Sequence, residues 1–127
     1  MSNLILIQAA EAGDAKRVEH FLDSGADINE RDDLGCTALY EAVSSEHRHI
    51  VELLLARGAD PNIPENNGTT PLMEAASSGG LELIRILLAA GADVSARDHF
   101  DDSALEYASA QSHNTAVDLL RISHDAA

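Results

Sequence analysis

The pentapeptides GADIN, GADPN and GADVS begin at Gly25, Gly58 and Gly91, each 33 residues after the last with nothing inserted or lost. So strict a period means that one supersecondary unit is written repeatedly, each copy presenting the same faces to its neighbours. Aligned on that period, the columns become geometry. Leu6, Leu39, Leu72 and Leu105 share one column, and Ala9, Ala42, Ala75 and Ala108 share another three residues on. That spacing places both on one helical face, and the small residue lets a neighbouring helix approach closely. In GTTPLMEA, Thr70 suits an N-cap and Pro71 the first helical position; Thr37 and Ser103 hold the same capping column.

A second helix follows a short turn in each unit, over 14–24, 47–57, 80–90 and 115–122. Val18, Val51, Ile84 and Val117 form one apolar column, and Phe21, Leu54, Leu87 and Leu120 another at i+3. Gly25, Gly58 and Gly91 end this helix where a left-handed residue is needed. GADPN is therefore a helix stop leading into an extended link.

Two helices and a link every 33 residues, with TPLMEAA (Thr70 to Ala76) and LLLARGADPN (Leu53 to Asn62), resemble the ankyrin repeat family. The resemblance covers a single domain, 1–127, in units of about 2–30, 31–63, 64–96 and 97–127. It implies an all-α solenoid of stacked helix-turn-helix units with short hairpin-like loops between repeats. The sequence departs from the family motif where its His is replaced by Tyr40, Met73 and Glu106. Asp101 stands where Gly35 and Gly68 mark the turn, and Asp tolerates a left-handed backbone better than most residues. His124 stands where the earlier units have their terminal Gly.

The outer columns turn polar at the ends. Arg17 and His20 occupy columns that are apolar in the later units, whereas the columns of Leu22 and Ala10 finish in Arg121 and Ser109. Terminal units of a soluble stack need such polar outer faces, so a self-sufficient monomer is expected.

Composition narrows the function. Aromatic residues make up 3% of the chain and Trp is absent, so its apolar mass suits small helices packed closely. The formal net charge of −14 argues against contact with nucleic acid phosphates and favours cationic surfaces. Cys36 is the single cysteine, and no run is long enough for a membrane span. No membrane partner and a cytoplasmic location are expected.

No catalytic constellation emerges. His47 and His49 of EHRH lack further ligands at metal spacing, and His47 shares the turn column with His113. Glu41 and Glu74 share a column but have no sugar platform beside them. DHFDD (Asp98 to Asp102) lacks the pattern of a calcium loop, and SSGG (Ser77 to Gly80) lacks the phosphate-loop lysine. No cofactor, metal or reaction is expected.

Binding remains. The second helices carry equal numbers of acids and bases, whereas the first helices and inter-repeat tips carry twelve acids against only Arg31 and Arg97, so negative charge should gather on the side they line. By resemblance that side is concave. The tips would contribute Asp33, Leu34, Cys36, Asn66, Asn67, Thr69, His99, Phe100 and Asp102. The first helices would add Tyr40, Glu41, Ser44, Ser45, Met73, Glu74, Ser77, Ser78, Tyr107, Ala110 and Gln111. Asp32 and Asp98 also serve the turn. Leu34 and Phe100 are either exposed anchors or packed over a neighbouring tip. The expected function is non-enzymatic binding of a protein or peptide with a basic surface. A special form is a stoichiometric inhibitor or immunity-type protein for a basic toxin or nuclease. The rival of another class is a metal-dependent enzyme using the His and carboxylate residues.

Overall fold

Thr37, Thr70 and Ser103 set where the inner helices begin. In the computed structural model, which describes residues 4–126, Thr37 Oγ1 accepts the Tyr40 backbone N–H at 3.1 Å, and Thr70 Oγ1 accepts that of Met73 at 3.3 Å. Each satisfies a donor that the first helical turn leaves without a partner. At the last unit the exchange is reversed: Glu106 accepts the Ser103 backbone N–H at 3.3 Å and its hydroxyl at 2.8 Å. Met73 Sδ similarly takes the Thr70 N–H at 3.4 Å. Met73 and Glu106, in the column of the missing motif His, thus still bind back to the cap.

The helices so capped are α3 (Ala38–Ser44), α5 (Pro71–Ser78) and α7 (Ala104–Ala110), preceded by α1 (Leu4–Ala12). Each is followed by its outer partner: α2 (Ala15–Asp23), α4 (Arg48–Ala56), α6 (Leu81–Ala89) and α8 (Asn114–Ala126). The described residues form no strand. Ala9, Ala42, Ala75 and Ala108 are fully buried, and α1, α3, α5 and α7 lie close against one another, while the outer helices meet sparsely. Close approach on one side and splaying on the other bend the stack, leaving the inner helices on its hollow side. Between the layers runs one core that includes Leu6, Leu39, Leu72, Val18, Val51, Ile84, Leu54, Leu87 and Leu120. Each fully buried Leu or Ile contributes about 1.5–3 kcal/mol.

The GAD segments do more than stop a helix. Asn29 Oδ1 accepts the Asp60 backbone N–H of the next unit at 3.0 Å, and Asn62 Oδ1 accepts that of Asp93 at 2.7 Å. Asn62 also donates to the Gly91 carbonyl at 3.1 Å. The repeated Asn is a staple between units.

The outer columns follow the expected pattern: Ile50, Leu83 and Ala116 are buried, whereas Arg17, His20, Ser109 and Arg121 are exposed. One boundary differs. The spacing ends the final helix at 122, whereas the helix continues to Ala126. Its predecessors stop near glycines with φ of +94°, +93° and +96°, and the corresponding residue, His124, lies within the helix.

Candidate protein-binding face

Each inter-repeat tip is tied by an acid at its base. Asp32 Oδ1 accepts the backbone N–H groups of Leu34 and Cys36 at 3.0 and 2.9 Å. Glu65 Oε1 holds Asn67 and Thr69 at 2.7 and 2.9 Å, and Asp98 Oδ1 holds Phe100 and Asp102, both at 2.9 Å. The tips also bind one another. Asn66 N donates to the Leu34 carbonyl at 2.9 Å, and His99 N to that of Asn67 at 3.0 Å. Arg31 reaches the Gly35 and Pro64 carbonyls at 3.0 and 2.9 Å, and Arg97 reaches that of Asp101 at 2.8 Å. Asp101 itself has φ of +67°, the left-handed conformation expected of it.

On this framework Leu34 is 68% exposed and Phe100 77% exposed. Neither folds back over a neighbouring tip. Asp33, Asn66, Asn67, His99 and Asp102 are exposed beside them, as are Ser44 and Ser78 at the ends of their helices; Ser45 is half-buried. Ser77, Phe100, Asp102, Tyr107 and Gln111 line one groove of about 610 Å³, so the last tip and the inner helices share a surface.

Two expected contact residues are corrected. Met73 is buried in the core beneath Thr70, whose backbone N–H its sulfur accepts. Cys36 is buried too, with its backbone N–H held by Asp32. Burial, then the charges of Asp32 and Glu41, push its thiol up to about 12.

The acidity of this side also needs apportioning. Beyond Asp32 and Asp98, Glu65 is a tip residue by function. Glu74 accepts the Tyr40 hydroxyl at 3.0 Å across the gap between units. Glu106 pairs with Arg97 at 3.2 Å. Burial would raise the Glu106 carboxyl, but the Ser103 hydroxyl and N–H and the Arg97 charge outweigh it and hold it below the usual range. Asp98 is likewise raised by burial but held lower overall by the Tyr107 hydroxyl and the two tip N–H groups. Glu41 is raised, first by burial and then by Glu11 and Asp32, although the Cys36 thiol opposes this. Among the described residues no partner holds the carboxylates of Asp33 and Asp102.

A grouping that sequence spacing did not expose is Asp32, Cys36 and Glu41, whose ligand-type atoms lie within 4.8 Å of one another. Cys36 and Glu41 are five residues apart, but Asp32 joins them only because the tip folds back. Asp32 is committed to two backbone N–H groups there. The histidines considered for metal binding lie elsewhere: His47 Nε2 donates to the Glu11 carbonyl at 2.9 Å, and His49 is solvated on α4.

A family model described as ankyrin repeats, in three copies, matches residues 6–98. The chain belongs to the ankyrin repeat family. Its fourth unit extends past the matched residues, yet α7 and α8 continue the same stack. No curated protein matches this ankyrin repeat chain. Ankyrin repeats are in general protein-interaction modules. Among the described residues, no helix is long and apolar enough to cross a membrane.

Proposed function

We propose that this ankyrin repeat protein is a non-enzymatic docking module whose hollow inner face holds a basic protein or peptide. The observation that carries this reading is the exposure of Leu34 and Phe100, two units apart in one column, on tips whose backbones are pinned. Apolar side chains held in water on rigid supports lose little freedom on binding, which is the property of an interface anchor. Asp33 and Asp102 stand beside them with unoccupied carboxylates, so the surroundings of both anchors favour cations. An inhibitor of a basic toxin or nuclease would be one form of the same docking.

Display selection from a random peptide library on the full chain tests the reading. Recovered peptides should be enriched in Lys and Arg beside an apolar residue, and Asp102→Lys should weaken their capture. Recovery of neutral or acidic peptides, captured equally by the variant, would remove the proposal.

A further inference from the structure

Resting on that reading, we infer that the groove beside α7 is a subsite for one arginine side chain of the bound peptide. Phe100 and Asp102 both line this groove, and one carboxylate oxygen of Asp98 fixes both of their backbones by accepting their N–H groups at 2.9 Å. The ring and the carboxylate therefore leave a single pinned turn. The other acids lining the groove are already engaged: Asp98 by Tyr107 and the tip, Glu106 by Ser103 and Arg97. Tyr107 completes the floor, its hydroxyl shared between Asp98 and Thr69. No Lys or Arg lines the groove. What it offers a ligand is one aromatic face and one free carboxylate.

A guanidinium suits that pair. Its planar fork matches a carboxylate, and its weakly hydrated face lies against an aromatic ring, whereas an ammonium is compact and strongly hydrated. The other tips lack the combination. In the columns of Phe100 and Asp102, the second unit has Leu34 and the buried Cys36. The third has Asn67 and Thr69, whose hydroxyl already meets Tyr107. The arginine subsite is thus a property of the last tip alone.

The test is a titration of the isotope-labelled full chain with acetyl-Ala-Arg-Ala-amide, followed by amide NMR shifts, beside otherwise identical lysine and citrulline peptides. The arginine peptide should give saturable shifts concentrated in residues 98–111. The lysine peptide should bind about two- to fivefold more weakly, as the loss of exposed ring stacking implies. Citrulline should give no saturable shift. Phe100→Ala and Asp102→Asn should each weaken the arginine peptide severalfold, with unchanged spectra elsewhere showing that the fold is intact. Equal affinity for lysine or citrulline, or indifference to either variant, would overturn the subsite. Saturable shifts centred on Asp33 and Leu34 would overturn it while leaving the acidic-face reading standing. No saturable shift with either cationic peptide would overturn the subsite, and failure of basic peptides in the display selection as well would remove both.

Discussion

The imidazole of His113 lies so close over Gly79 that a methyl group there would stand 2.7 Å from the ring. Gly79 has φ of +73°, and His113 Nε2 donates across the units to the Ser77 carbonyl at 3.1 Å. Gly13 and His47 repeat the arrangement two registers earlier. Between them the column holds Glu46, also left-handed at +59°, and the residue standing in the histidine register of the following unit is Gly80. Glycine is kept where a ring must lie on the backbone, and a side chain is tolerated where no ring follows.

Gly79→Ala should therefore destabilise the fold by about 2–4 kcal/mol, combining left-handed strain with the collision against His113. Glu46→Gly removes strain without such a neighbour and should be neutral or stabilising by up to about 1 kcal/mol. Urea unfolding of the two variants checks the contrast; equal effects would contradict it.

The two tyrosines of the chain should resist ionisation together. Burial, then the Glu74 charge and hydrogen bond, raise the Tyr40 hydroxyl well above 10; burial and the Asp98 hydrogen bond raise that of Tyr107. A raised folded value means that the native state holds its proton longer than the unfolded chain. The stabilisation is complete below about pH 10 and is lost as pH rises beyond it. Native protein at pH 10 should show little tyrosinate absorbance, while the urea-unfolded chain should be about half ionised. Tyr40→Phe should cost about 1–2 kcal/mol, since it removes a hydrogen bond to a half-buried carboxylate.

Cys36 should be inert in the folded protein. Its thiol is buried and pushed up to about 12, so both access and thiolate are lacking near neutral pH. Labelling by a disulfide reagent at pH 8 should be slow in native protein and fast in urea. Rapid native labelling would show that the tip opens around Asp32.

Much of this architecture was legible because a repeat reports each position several times. The Leu and Ala columns, the caps at Thr37 and Thr70, and the polar ends at Arg17 and Arg121 all lie where the aligned columns placed them. Column identity failed where one column does different things in different units. Cys36, Thr69 and Asp102 share a column, yet the first is buried, the second half-buried and the third exposed. Tyr40, Met73 and Glu106 also share one, but their hydrogen bonds run to a neighbouring unit, to the helix's own cap, and to the cap and Arg97. Glu74 looked like free surface charge because its partner Tyr40 is 34 residues away. Contacts that cross units depend on side-chain direction, which the period does not encode.

The most direct test of acidic-face docking is calorimetric titration of the tightest display-selected peptide into the wild-type chain and into Asp33→Lys/Asp102→Lys, each at two salt concentrations. Affinity should fall with salt in the wild type, and should fall by tenfold or more on charge reversal. A peptide that binds both proteins equally, with no response to salt, would contradict it.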